Sequence, residues 1–259
     1  MKESILSVAL VFPELLGTYG DRGNAAALVH RARGRGLDCR VLEVGLHDPF
    51  PRAADIYLLG GGEDAAMLLA WERLHAQSGL TEAVERGAVC FGVCAGFQLL
   101  GHEFDGPDGV THPGLGLLDI SSHRLPGPRA VGEVLTQSTG IDIGFVTGYE
   151  NHQGDAQLGP RARPLARVVV GTGNGHSHAE GAVQGTVVGT YLHGPALVRN
   201  DRLADHLLAA VVGPLEPFDD ELVQRLRGER RKAALASPRR RWPRALRQAG
   251  VLRRSRRRS

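Results

Sequence analysis

Short apolar runs alternate with longer amphipathic stretches over the first hundred residues of the chain. The apolar runs predict buried strands, and the stretches that follow them predict helices with one apolar face. The predicted strands cover residues 5–12, 40–44 and 55–59, and the predicted helices cover 25–35, 64–75 and 80–86. Strands and helices that alternate at this spacing are typical of parallel β-α-β units, so the sequence predicts an α/β fold with a mostly parallel sheet flanked by helices.

The pattern changes after residue 100, where Gly, Pro, Asp and His become frequent. Short extended pieces replace the helices, which predicts a strand-rich second half. These pieces cover residues 116–120, 131–136, 143–147, 167–170 and 187–192. A closing helix is predicted at 200–212, and an amphipathic helix at 219–234.

No shift in composition marks a linker between the two halves. We therefore expect one domain over residues 1–215. A helical extension follows over 216–236, and the Arg-rich segment 237–259 is predicted to be a disordered tail because it has too few apolar residues to pack.

Composition narrows the class of protein. With 259 residues and 42% hydrophobic residues, the chain can bury a core without disulfides. Its three unevenly spaced cysteines favour a reducing compartment and offer no paired spacing for zinc. No apolar run approaches the length of a membrane span, and the start lacks the apolar segment of a signal peptide. We expect a cytoplasmic protein.

Charge separates the chain into two parts. Residues 1–224 contain 16 Lys and Arg against 27 Asp and Glu, a net charge of −11. Residues 225–259 contain 15 against one, a net charge of +14. The acidic body is not expected to bind nucleic acid. The basic tail is either simply solvated or attracted to anionic lipid, a partner or nucleic acid.

Cys94 is the leading candidate for a reactive group. It lies where an apolar, strand-like run meets a helix-like run, and Gly92 and Gly96 flank it at two residues on either side. This is the pattern of a nucleophile elbow with sulfur in place of oxygen, and a helix N-terminus favours the thiolate. The alternative for any lone cysteine is core packing, which is the interpretation for Cys39 and Cys90.

Histidines supply the candidate bases. His193 ends the predicted strand 187–192 and precedes Gly194-Pro195, so it is held at a strand end, although a structural histidine remains the alternative. His176 and His178 lie in a Gly-rich loop without a further ligand set, which favours a plain loop over a metal site.

A run of three glycines follows the predicted strand 55–59, from Gly60 to Gly62. Glycines at the carboxyl end of a strand let backbone N–H groups approach a ligand closely. A tight turn is the alternative interpretation. No Gly-Lys-Ser/Thr follows, so the run is not a phosphate-binding loop.

Several motifs together resemble one family. Three of them resemble the flavodoxin-like class I (triad-type) glutamine amidotransferase domain, namely 60–64, 92–101 and 189–195. Two more, 18–24 and 148–154, resemble its cobyric acid synthase-like subgroup, and within it the GatD type, the glutaminase subunit of lipid II isoglutaminyl synthase. The resemblance runs from about residue 5 to 212 and leaves out the Arg-rich tail.

The resemblance implies a role for the cysteine and the histidine. Cys94 attacks the side-chain amide of glutamine, and His193 passes a proton to departing ammonia before activating water against the γ-glutamyl thioester. Many class I domains carry a carboxylate two residues beyond the histidine, whereas Pro195 occupies that place here. A partner aspartate is therefore our hypothesis for the third member of the triad.

The resemblance also implies the substrate contacts. The backbone N–H of Ala95 and one from Gly61 or Gly62 hold the oxyanion. Gln98 matches the elbow glutamine that lines the substrate pocket. Arg129 matches the substrate-binding arginine of the subgroup.

Amide synthesis needs activation of the acceptor, and this chain has no ATP-binding loop. The resemblance implies a heterodimer with a Mur-ligase-like synthetase subunit (MurT type) that carries ATP and Mg²⁺, so no cofactor is expected in this chain. The partner would amidate D-glutamate of the lipid II stem peptide to D-isoglutamine at the inner face of the plasma membrane. The alternatives are an amidotransferase for a cobyric acid-type synthase, a non-catalytic binding module, and a cysteine or dienelactone-type hydrolase.

Overall fold

The computed structural model describes residues 5–218 and 220–236. The strands are β1 (Leu6–Val11), β2 (Cys39–Val44), β3 (Ile56–Leu59), β4 (Val89–Val93), β5 (Glu103–Asp105), β6 (Thr111–Pro113), β7 (Ile120–Arg124), β8 (Ala130–Ser138), β9 (Phe145–His152), β10 (Gly154–Leu158), β11 (Ala166–Val170), β12 (Ala179–Glu180), β13 (Ala182–Gln184) and β14 (Val187–Thr190). The helices are α1 (Arg22–Arg33), α2 (Asp64–His75), α3 (Gly79–Glu85), α4 (Ala95–Leu99), α5 (Ala196–Arg199), α6 (Asp201–Val212) and α7 (Glu221–Ala236).

The central sheet has six strands in the order β13-β14-β4-β3-β1-β2. All neighbours pair in parallel except β13, which is antiparallel to β14 at one edge. Every residue of β1, β3, β4 and β14 is buried, as expected for strands covered on both faces. The predicted α/β class and mostly parallel sheet are confirmed.

One hydrophobic core lies on each face of this sheet. Leu28 of α1 and Leu203 and Leu207 of α6 pack in the first core with β1, β3 and β4. Met67 and Leu74 of α2 pack in the second core with aromatic residues of α4 and the strand ends. Helices on both faces leave the carboxyl ends of the strands free to carry a site.

The second half forms two further sheets of four strands each, in the orders β10-β7-β5-β6 and β12-β11-β8-β9. The long hairpin β8–β9 pairs Ala130 with His152 at its open end. An isolated antiparallel bridge joins Tyr149 of β9 to His193. The strand-rich half therefore reaches over the carboxyl edge of the central sheet.

Most predicted elements are present, with three differences. The predicted strand 116–120 is wrong, because residues 116–119 form bends and the strand covers Ile120–Arg124. The strand before His193 ends earlier than predicted, at Thr190. Some strands were not predicted because they are short or polar, namely β5, β6, β10, β12 and β13.

A helix is present in the extension, as predicted, but its bounds differ. Helix α7 covers Glu221–Ala236 rather than 219–234, and it packs on the β8–β9 hairpin side of the molecule. Arg227 of α7 bonds Asp201 at 2.7 Å. The predicted disordered tail, 237–259, lies outside the described residues. None of the described helices is long and apolar enough to span a bilayer.

Gly96 gives a direct test of how closely α4 packs against β3. A Cβ on Gly96 would lie 2.4 Å from the carbonyl oxygen of Leu59, which is backbone of β3 and cannot rotate away. We expect Gly96→Ala to lower the free energy of unfolding by about 1–3 kcal/mol, the usual cost of overpacking. Urea denaturation measures this change.

The matched control is Gly228→Ala in α7, where an added Cβ meets nothing within 4 Å. Because Ala is favoured over Gly in a helix interior by about 1 kcal/mol, this variant should be neutral or more stable. Equal destabilisation by the two substitutions would contradict the close approach at Gly96.

Candidate active site

Cys94 occupies the turn between β4 and α4. Its backbone has φ 52° and ψ −102°, a left-handed conformation that residues with side chains rarely adopt. Cys94 N–H donates to the carbonyl of Thr190 at 2.8 Å, and its own carbonyl accepts from Gln98 N–H at 3.0 Å. A Cβ on Gly92 would lie 2.8 Å from the Gly96 backbone. The flanking glycines are therefore a steric requirement of the elbow.

The electrostatics of Cys94 differ from the sequence-based expectation. Burial raises the pKa of its thiol to about 12, and the charge of Asp21 adds to the increase. Arg129 and the N–H of Ala95 lower it, but by less. Helix α4 has only five residues, and desolvation is the largest influence on this thiol. In this chain Cys94 is a neutral thiol that needs a base.

His193 lies beyond the end of β14, the strand next to β4, which Cys94 follows. Thr190 of β14 pairs with Val93 of β4, so both residues follow adjacent parallel strands. Backbone hydrogen bonds in both directions tie His193 to Tyr149, at 2.8 and 3.0 Å. The ring of Tyr19 covers the imidazole, with ring centroids 4.5 Å apart. His193 is 1% exposed, so this contact and the bridge hold it firmly.

The imidazole is poised as a neutral base. Burial, with smaller contributions from His152 and Arg129, lowers the pKa of His193 to about 4. Neither ring nitrogen has a hydrogen-bond partner among the described residues. Within the same part of the chain, no carboxylate lies within salt-bridge distance of this ring. The base is present, and the group that would orient it is not.

The glycine run lies against the same histidine. Gly61 N–H donates to Oδ2 of Asp21 at 2.7 Å, so this amide already has an acceptor. Thr18 forms an isolated bridge with Gly61. Gly62 lines the same pocket as Cys94 and Ala95. Of the two glycines named from the sequence, Gly62 is therefore the candidate donor to an oxyanion.

Gln98 and Arg129 both line the pocket that contains Cys94, as predicted. Gln98 Nε2 donates to the hydroxyl of Tyr191 at 3.3 Å, which leaves its carbonyl oxygen for a ligand. Arg129 donates from Nε to Asn151 Oδ1 at 2.9 Å and from Nη2 to the Asn151 carbonyl at 2.8 Å. These two hydrogen bonds hold the guanidinium group of Arg129 at the rim of the pocket.

The charges around the pocket suit a zwitterion. Cationic Arg124 and Arg129 and anionic Asp64 and Asp105 all line it. Arg124 bonds Asp64 at 2.8 Å. A small amino acid carries one carboxylate and one ammonium group, and the pocket offers both complements.

Four residues of the site were not singled out from the sequence, namely Tyr19, Asp21, Asn151 and His152. They belong to the quoted motifs 18–24 and 148–154, and that membership was the available signal. His152 is 3% exposed, lines the pocket, and stacks on Tyr191 with ring centroids 3.9 Å apart. No group of three or more potential ligands that could hold a metal ion occurs in the described part of the chain.

Comparisons with known proteins place the chain among glutamine amidotransferases. A family model for the CobB/CobQ-like glutamine amidotransferase domain matches residues 7–201. Subunit GatD of lipid II isoglutaminyl synthase (glutamine-hydrolyzing) from Streptococcus pneumoniae is 33% identical over 210 residues, which cover 80% of this chain and 80% of the relative. The same subunit from Staphylococcus aureus is 33% identical over 208 residues, covering 78% of this chain and 83% of the relative.

More distant similarities are partial or structural. Cobyric acid synthase of Rhodobacter capsulatus is 35% identical over 162 residues, covering 60% of this chain but 32% of that protein. A solved glutamine amidotransferase superposes with a TM-score of 0.54 at 20% identity, covering 79% of this chain and 98% of that one. PurLQS from Thermotoga maritima gives a TM-score of 0.55 at 14% identity, with the same coverage of both chains.

The fold and the family match define a class I glutamine amidotransferase domain. The chain belongs to the CobB/CobQ-like glutamine amidotransferase family, and it is an enzyme of that class.

The raised pKa of Cys94 predicts how its thiol reacts. In the isolated chain, we expect alkylation by iodoacetamide at pH 7 to be at least about tenfold slower than for an ordinary exposed thiol. The rate should rise about tenfold per pH unit from 7 to 9, because only the thiolate reacts. Mass spectrometry of the peptide containing Cys94 measures the rate.

The Cys94→Ser variant identifies the labelled residue in this experiment. Cys39 and Cys90 are buried and should stay unlabelled in the folded chain. A rate that levels off below pH 8 would show a stabilised thiolate and contradict the burial effect.

Proposed function

We propose that this chain is a glutaminase subunit that hydrolyses L-glutamine and passes ammonia to a Mur-ligase-like synthetase subunit. The partner, of the MurT type, would use ATP and Mg²⁺ to amidate D-glutamate of the lipid II stem peptide to D-isoglutamine. The observation that carries this proposal is the elbow cysteine with a neutral, buried histidine that has no orienting carboxylate among the described residues.

The relatives support this assignment over the alternatives. The two GatD subunits match about four fifths of their own length, whereas the cobyric acid synthase matches only 32% of its length. The residues given contain no phosphate-binding loop, which is consistent with activation of the acceptor by a separate subunit. Peptidoglycan biosynthesis is the process in which such a pair would act.

The first half of the reaction follows from the neutral pair. As Sγ of Cys94 attacks the side-chain carbonyl carbon of glutamine, its proton moves to the imidazole of His193. The carbonyl oxygen becomes an oxyanion that the N–H groups of Ala95 and Gly62 face. Each such donor contributes roughly 3 kcal/mol in comparable sites.

The second half releases both products. The imidazolium of His193 protonates the departing nitrogen, the C–N bond breaks, and ammonia leaves a γ-glutamyl thioester on Cys94. Neutral His193 then takes a proton from water, which attacks the thioester, and glutamate and the thiol are restored. His193 can therefore serve both steps, because it gives up the proton it accepts and is neutral again at the end of each one.

The partner would complete the triad. Neither nitrogen of His193 has an acceptor in the described chain, and the ring is buried, so a carboxylate of the synthetase subunit would bond one nitrogen after a rearrangement that opens access to it, and would then stabilise the imidazolium. Ammonia would then form only where the acceptor site is assembled.

The glutaminase assay tests this function. We expect the isolated chain to release ammonia from L-glutamine at least about 100-fold more slowly than the complex with its Mur-ligase-like partner, because an unoriented histidine is a poor base. Cys94→Ala and His193→Ala should abolish the activity of the complex. Equal rates with and without the partner would exclude a partner-completed triad.

The product identifies the acceptor in the same experiment. With lipid II and ATP, the complex should yield amidated stem peptide. No ammonia release in any combination would instead favour a non-catalytic module. Ammonia release with amidation only of a corrin carboxylate would favour the cobyric acid-type alternative.

The placement of Arg129 predicts a binding effect. We expect Arg129→Ala to raise KM for glutamine about tenfold or more while kcat changes little, since a charge-assisted hydrogen bond contributes about 1.5–3 kcal/mol. Steady-state kinetics of the complex measure both constants. Arg161→Ala is the control, because Arg161 is exposed and pairs with Asp119 outside the pocket. An unchanged KM in Arg129→Ala would remove Arg129 from the substrate site.

A further inference from the structure

Asp21 is a buried carboxylate that the proposed reaction does not use. It stands at the N-cap position of α1, yet its side chain makes no capping hydrogen bond to that helix. It is 1% exposed. Oδ2 instead accepts the Gly61 N–H at 2.7 Å, and Oδ1 accepts from Nδ2 of Asn24 at 3.3 Å. The carboxylate therefore joins the loop after β1 to the glycine run after β3.

This hydrogen bond lies close to the imidazole of His193. A Cβ on Gly61 would lie 2.7 Å from Cε1 of His193 and 3.5 Å from Oδ2 of Asp21. A Cβ on Gly60 would lie 2.9 Å from the same carboxylate oxygen. Asp21 and His193 thus pack against the same residue, Gly61. The peptide that follows Gly61 carries the N–H of Gly62.

An ionised Asp21 is unfavourable for the stability of the fold and for ionisation of the Cys94 thiol. Burial raises the pKa of Asp21 to about 7, and the charge of Asp21 raises the pKa of Cys94. Cys94 and His193 are the titratable groups of the neighbouring strand ends that share this region, and Asn24 is the polar group on α1. An apolar residue would remove the charge but leave the Gly61 amide without its acceptor.

We propose that Asp21 is a positioning residue, which acts through the Gly61 amide to hold the Gly61–Gly62 peptide and the surface on which His193 lies. Gly62 is the oxyanion donor and His193 the base in the proposed function, so this role rests on that function. In this role Asp21 acts through the Gly61 amide and not on the substrate, so its expected effect is on the rate of the chemical step.

The kinetic test uses the complex with its synthetase partner and two variants. Asp21→Ala removes the acceptor of the Gly61 N–H, and we expect kcat to fall about 10- to 100-fold with KM little changed, as for loss of an oriented oxyanion donor. Asp21→Asn keeps an oxygen acceptor and should retain kcat within about threefold of the native enzyme.

Asp55→Ala is the matched control. Asp55 also accepts a backbone N–H, that of Ser7 at 2.7 Å, but it stands at the amino end of β3, away from the site. This variant should lose stability in urea without losing kcat per folded molecule. If Asp21→Ala behaves like Asp55→Ala, or if Asp21→Asn is as slow as Asp21→Ala, the positioning role is overturned.

Hydrogen exchange tests the hydrogen bond between Asp21 and the Gly61 amide without depending on glutaminase activity. In the isolated chain, the Gly61 amide should exchange at least about tenfold faster in Asp21→Ala than in the native chain, and near the native rate in Asp21→Asn. Unchanged exchange in Asp21→Ala would overturn the proposal even with an active complex. Faster exchange in a complex without glutaminase activity would instead reject the proposed function and keep the hydrogen bond as the support of the loop.

Discussion

The parallel pairing of β4 with β14 is the constraint on which the rest of the site depends. It places the elbow of Cys94 beside the segment that carries His193. The hydrogen bond from Cys94 N–H to the Thr190 carbonyl continues this pairing into the turn itself. Cys94 and His193, far apart in the chain, are brought to the same edge of one sheet because the buried strands before them are neighbours.

Burial then decides the chemistry of the pair. Desolvation disfavours charge on both groups, so it raises the pKa of the thiol and lowers that of the imidazole. The resting site is therefore neutral, and it gains charge only as the proton moves between the two groups. In the proposed reaction, a carboxylate from the partner subunit would stabilise that charged state, and ammonia production would then depend on assembly of the complex.

The strand-rich half supplies the walls of the same site. Its long hairpin brings Tyr149 against the backbone of His193 and Asn151 against the side chain of Arg129. The loop after β1 contributes Tyr19 over the imidazole and Asp21 beneath the glycine run. Three separate stretches of chain thus hold one catalytic centre, although only one of them carries the nucleophile.

Periodicity and turn chemistry in the sequence determined the parallel half of the fold, the elbow at Cys94 and the candidate base. Apolar runs such as β1 and β3 are long enough to be recognised alone, and the glycines around Cys94 have a local steric cause. The short strands β5, β6 and β12 lack such a signal because neighbouring strands, not their own residues, define them.

Only the tertiary structure decided which groups meet and what state they take. The acceptor of the Gly61 amide is 40 residues away in sequence, and the neutral thiol results from burial by many distant residues. Desolvation and long-range hydrogen bonds depend on packing that no local pattern encodes.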